Sequence, residues 1–201
     1  MKKLFLWSVA FFMVLQACTL DSEYDRLVKR EMATGERYDS LILGTYFGME
    51  AEAFYDHCWE LNKKKIVKEG PGNSSVEYRL DDGELNLEGA VYFYPRFYER
   101  KIYEMPMVFT YNGWAPWNKQ VSSDSLLPNV LHLLENWYGG EFIKLEHPKK
   151  GELYVQVQGN RRIKVGKKDE RQVVAEFTDL TQEAEKKAAD AKKSEQEETG
   201  D

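Results

Sequence analysis

SSDSLLPNVLHLLENWYGG, residues 122–140, carries its own start, stripe and stop signals for a helix. Ser122, Ser123, Asp124 and Ser125 offer N-caps, and Pro128 is tolerable in a first turn. Leu127, Val130, Leu134 and Trp137 form an apolar face, and Gly139-Gly140 ends it. The same pattern occurs earlier. Phe47, Ala51, Phe54, Cys58 and Leu61 recur at alternating steps of four and three, which is one face of a helix. Lys63, Lys64 and Lys65 suit the C-terminal end of that helix dipole, and Gly70-Pro71-Gly72-Asn73 is a stop. Strand patterns follow each helix. After the first come Val76, Tyr78 and Leu80, then the aromatic-rich residues 85–98 with Pro95 inside, then residues 102–111. Pro106 marks this last strand as an edge or a bulged one. After the second helix come residues 142–145, 153–157 and 173–177, with a short alternating run at Ile163 and Val165. Helix then strands, twice over, predicts an α+β fold: two successive helix-plus-antiparallel-strands units forming one domain over residues 39–180, with halves of about 39–111 and 112–180.

The flanks read differently. Lys2 and Lys3 precede an apolar run over residues 4–15 and then Leu15-Gln16-Ala17-Cys18. Residues 1–17 read as a lipoprotein signal peptide and Cys18 as the lipidated residue. Gln16 departs from the lipobox, where a small residue is usual, and the alternative is a plain secretory signal cleaved after Ala17. The apolar run is too short for the ~30 Å of hydrocarbon in a bilayer. Two or three acyl chains on Cys18 would give a stable anchor, since each buried CH₂ is worth ~0.8 kcal/mol. Residues 18–38 read as a lipidated polar tether with a short helix around residues 24–32. Residues 181–201 hold no large apolar side chain, so they read as a charged tail, either a solvated helix extension or disordered. Loss of residues 1–17 removes Lys2 and Lys3 and no acid, so the formal charge moves from −6 to −8. That argues against nucleic acid as a partner. With Cys18 acylated, Cys58 has no partner for a disulfide, and the fold rests on packing.

No catalytic or metal-binding set emerges from the spacing, and no cofactor is implied. His57 and Cys58 are helix neighbours pointing about 100° apart, so they do not form a nucleophile–base pair. His132 and His147 lack the further ligands a zinc site needs. Asp81, Asp82 and Glu84 around Gly83 suit a hairpin turn better than a calcium loop. The candidate binding residues are Tyr111, Trp114 and Trp117, on a Gly- and Pro-containing connection. They can serve as a platform for sugar faces or partner side chains, or fold back to plug the core. The triplet Asp-Ser-Leu occurs twice, as Asp39-Ser40-Leu41 and Asp124-Ser125-Leu126.

Residues 39–62 (DSLILGTYFGMEAEAFYDHCWELN), 114–119 (WAPWNK) and 159–163 (GNRRI) resemble a group of uncharacterised Bacteroidota cell-envelope lipoproteins. The resemblance covers most of the chain beyond Cys18. It implies a cell-envelope address, with the outer membrane as destination, and the Asp-Ser-Leu triplets resemble the O-glycosylation signal of that group, which makes Ser40 and Ser125 candidates for O-glycosylation. It implies no activity. The expectation is a lipid-anchored, non-catalytic binding module with an envelope protein partner. The alternative is a glycan-binding module using the Trp114/Trp117 loop, and an enzyme comes third with no nominated residues.

Overall fold

The computed structural model describes residues 22–81, 83–147 and 151–198. Cys18 lies outside them, as do Asp82 and the side chain of His147. The chain runs α1 (Glu23–Ala33), α2 (Ala51–Lys63), β1 (Val67–Glu69), β2 (Val76–Leu80), β3 (Gly89–Phe93), β4 (Arg96–Tyr98) and β5 (Lys101–Tyr111). It continues through α3 (Ser123–Tyr138), β6 (Ile143–His147), β7 (Gly151–Gln158), β8 (Arg161–Lys167), β9 (Gln172–Asp179) and α4 (Leu180–Glu198). The architecture is α+β. The strands form one nine-stranded sheet in the order β1-β2-β3-β5-β9-β8-β7-β6, with β4 also paired to β5. Every pairing is antiparallel. Each helix-led unit is therefore a meander, and the last strand of one unit, β5, pairs with the last strand of the other, β9.

That junction decides between the two readings of residues 102–111: the pairing with β4 shifts register between Arg96 and Phe97, so the strand is irregular, but it is not an edge. β5 is central rather than an edge, flanked by β3 and β4 on one side and β9 on the other. Pro106 is tolerated because it lies where the ladder is already interrupted. β3 ends at Phe93 opposite Met107, and β4 begins at Arg96 opposite Glu104, so nothing on that side pairs with Met105 or Pro106. The aromatic run 85–98 likewise divides into β3 and β4 at Tyr94-Pro95. Ile163 and Val165 belong to a full strand, and the three-residue β1 carried no alternation to reveal it.

One sheet face packs on α3. Along β5 and β9 it presents Met105, Met107, Phe109, Val173, Ala175 and Phe177, all fully buried. α3 answers with Leu126, Leu127, Val130, Leu133 and Leu134, a stripe wider than the one spacing suggested. Pro128 falls in the second turn of α3 rather than the first, on its exposed side. α2 is different: only Phe54 is buried along its length.

The opposite sheet face is partly covered by the segments at either end of the domain. α1 has the short helix foreseen, started by a capping box between Ser22 and Asp25. It is docked rather than a free tether, with Tyr24, Leu27 and Val28 packing against Val155, Val157 and Leu180. α4 is a helix from Leu180 onward, so the tail is not disordered at its start. Its Glu183 makes a two-pronged ion pair with Arg162 of β8 (Nη1–Oε2 and Nη2–Oε1 both 3.1 Å), whose side chain is 6% exposed. Arg162 also donates to Tyr24 Oη of α1 and Thr178 Oγ1 of β9. One buried guanidinium thus joins both terminal helices to the sheet.

Candidate functional site

Among the described residues two surfaces set exposed aromatic side chains beside a groove or cleft, and a third aromatic cluster is buried.

The first surface is the connection after β5. Tyr111, a candidate binding residue by sequence, does not belong to it. The last residue of β5 faces the core, and Tyr111 is 2% exposed with its hydroxyl donated to Asn86 Oδ1. Burial pushes its phenol pKa up to about 12. Trp114 is half-buried, with the Arg171 guanidinium 6.0 Å from its ring centroid. Trp117 is 84% exposed. The two tryptophans therefore do not plug the core together. Trp114 forms a wall of an open cleft of about 400 Å³ between the loop, the first turn of α3 and the β8–β9 turn. Lys167 and Asp124 meet in that cleft at 2.7 Å. Their hydrogen bond raises the lysine pKa and lowers that of the aspartate. Hydrogen bonds to the backbone maintain the cleft's shape: Ser123 N–H donates to the Glu170 carbonyl, and the Asp169 side chain accepts at Oδ1 from the N–H groups of Arg171 and Gln172.

The second surface lies on α2. Tyr55 and Trp59, four residues apart on one helix face, are 49% and 62% exposed, and Tyr94 from the β3–β4 bend is 40% exposed. The hydroxyls of Tyr55 and Tyr94 share a 2.8 Å hydrogen bond, which with burial raises the Tyr94 pKa to about 12. Tyr55, Tyr94, Phe54 and Phe97 form an edge-to-face cluster. Phe54, Tyr55 and Tyr94 border a groove of about 370 Å³ that runs between α2 and β1–β2. β1, alongside it, pairs only with β2 and is an edge of the sheet.

Cys58 lines the same groove, half-buried, and burial raises its thiol pKa to about 11. A thiol so protonated at neutral pH is a poor nucleophile. His57 turns away from it, its Nε2 2.7 Å from the Leu43 carbonyl oxygen. Among the described residues no three His, Cys, Asp or Glu side chains are grouped to hold a metal ion. Asp81 Oδ1 accepts from the N–H groups of Gly83 and Glu84, which makes that acidic stretch a turn. Ser40 is exposed, and Ser125 lies in the first turn of α3 with Ser122 as the N-cap.

Sequence reasoning missed the α2 surface because it took the helix's period as evidence of core alone. It also missed the buried cluster around Arg161. This side chain is 3% exposed, stacked between Tyr38 and Tyr138 with ring centroids 5.5 and 4.8 Å away. Its guanidinium donates to the carbonyls of Ser40 and Tyr138 and to Gln158, without a carboxylate, and burial lowers its pKa. It clamps residues 38–40 to the end of α3. The consecutive Arg161 and Arg162 thus serve opposite faces of the sheet, as the two-residue period of a strand requires.

Comparison with protein-family models, curated proteins and solved structures returned no match to this chain. What can be said of its function rests on the geometry above.

Proposed function

We propose that the protein is a lipid-anchored binding module of the bacterial cell envelope, held at the outer membrane through acylated Cys18, and that it docks a polypeptide partner on α2. The observation that carries the docking reading is the exposure of Tyr55, Trp59 and Tyr94 around a groove beside a free sheet edge. Aromatic anchors of this kind dominate interface energetics, and an edge strand can accept an extended segment by main-chain pairing. The anchor reading rests on residues 1–18. No helix among the described residues is long and apolar enough to cross a membrane. The residues between Cys18 and Ser22 reach at most about 14 Å when extended, and α1 is docked on the sheet. The domain would therefore ride close to the bilayer.

Two experiments test this. Replacing Cys18 by Ser should move the protein from the membrane to the soluble fraction, and retention without detergent would sink the anchor. The native chain, cross-linked in envelope membranes and purified, should carry a polypeptide that is lost from the Trp59→Ala chain. Equal recovery with both chains would sink the α2 docking site.

A specific observation favours a second reading. Trp117 is 84% exposed beside a polar cleft, an arrangement suited to a glycan.

A further inference from the structure

Trp117 exposes more of itself than any other large hydrophobic side chain among the described residues. A large aromatic ring left in water forgoes the burial that normally stabilises it, and its free face is available to stack on a ligand. Its sequence neighbours Pro116 and Asn118 both line the Trp114 cleft. The cleft, at about 400 Å³, has the size of a small-molecule site.

The chemistry of the walls narrows the ligand class. Lys119, Lys167 and Lys168 line the cleft, and so do Asp124, Asp169 and Glu170. Three cations face three anions, so neither an anionic nor a cationic ligand finds a net opposite charge. A wholly apolar ligand would desolvate the Asp124–Lys167 pair without replacing its hydrogen bonds, which is costly. What remains is an uncharged molecule with apolar C–H faces for an indole and hydroxyl rims for carboxylates and ammonium groups.

We infer that the Trp114 cleft, together with Trp117 on the loop that walls it, binds a neutral oligosaccharide, one ring stacked on Trp117 and a neighbouring unit hydrogen-bonded at the Asp124–Lys167 pair against Trp114. This rests on the second reading above and is independent of the anchor and of the α2 docking site.

The test is calorimetric titration of the full chain in detergent with linear hexasaccharides of the cello-, malto-, xylo-, manno- and chito- series. At least one should bind saturably. Trp117→Ala should weaken that binding at least tenfold, and Asp124→Asn should weaken it while leaving the melting temperature unchanged. Trp117 is so exposed that its removal leaves the fold intact, and an unchanged melting temperature checks this. Trp59→Ala should leave sugar binding as it was. The inference is overturned if no series binds, if Trp117→Ala binds as tightly as the native chain, or if Trp59→Ala is the variant that abolishes binding. Partner capture on α2 should persist in Trp117→Ala, so the two surfaces can fail separately.

Discussion

A chain ended at Thr181 should melt roughly 5–10 °C below the full-length protein, whereas one ended after Lys187 should melt where the native chain does. The difference is Glu183. Its carboxylate bonds both Nη atoms of Arg162, whose side chain is 6% exposed on the sheet face between α1 and α4. Removing one partner of a buried ion pair costs about 3–5 kcal/mol, because the remaining charge is left uncompensated. Glu183 is itself 23% exposed, so screening reduces the loss to about 2–3 kcal/mol here. For a domain of this size each kcal/mol shifts the midpoint by about 2–4 °C. Burial works against ionisation of Glu183, but its bonds to Arg162 and Lys187 prevail and hold its pKa below the ordinary glutamate value. A lowered carboxylate pKa contributes stability that is present above the unfolded pKa and lost as pH falls through the folded one. The gap between the two chains should therefore close in acid. Glu183→Ala should reproduce most of the loss, and adding Arg162→Met to the truncated chain should recover it, since no charge is then stranded. A truncated chain with unchanged melting temperature would show that Arg162 finds another partner.

Composition alone leads to the opposite expectation, because residues 181–201 offer no large apolar side chain. The failure is instructive. Hydrophobic period marks which residues are buried for packing, and it read α3 and most strands correctly, whereas α2 buries only Phe54 of its stripe and Phe47 lies before the helix begins. It is silent on polar residues buried by register. Arg162 is buried because β8 sits between β7 and β9 and because α1 and α4 close over that face, a fact of long-range pairing that no local window contains. The central position of β5 was illegible for the same reason: Pro106 signals an edge or a bulge, and only the long-range pairing with β3, β4 and β9 decides between them. At the candidate sites, Trp114 and Trp117 stood out because Gly113 and Pro116 mark a loop. Tyr111, two residues before that turn, was grouped with them although the alternation of β5 points it inward with Phe109. On α2 the period placed Phe54 and Cys58 on the inner side, and the exposed faces of Tyr55 and Trp59 were left unread.

Gly159→Ala should destabilise the protein by about 3 kcal/mol and open residues 34–40 to proteolysis. Gly159 sits in the β7–β8 turn at φ +50°, where a side chain already strains the backbone. A Cβ there would lie 2.2 Å from the carbonyl oxygen of Glu36 and 2.9 Å from its carbonyl carbon. Those are backbone atoms, and they cannot retreat alone. Tyr38 N–H donates to Asn160 Oδ1 at 2.7 Å, Asn160 Nδ2 donates to Asp39 at 2.9 Å, and Arg37 reaches the fully buried Asp179 carboxylate at 3.0 Å. Arg161 holds Ser40 beside them. Relieving the clash means moving this whole strap, and it would leave the buried Asp179 carboxylate with the neutral Thr181 N–H and Gln182 amide donors but without its Arg37 counter-charge. The strap is also the link between the domain and α1, whose own hold on the sheet is three partly buried side chains and one tyrosine hydroxyl. Loosening it should let α1 leave the sheet and turn a short attachment into one that spans ~60 Å when extended. Limited proteolysis should show new cleavage within residues 34–40 before any cut in the sheet. A Gly159→Ala protein that resists protease and melts like the native chain would mean that Glu36 does not pack on the β7–β8 turn, and the strap would have to be redrawn.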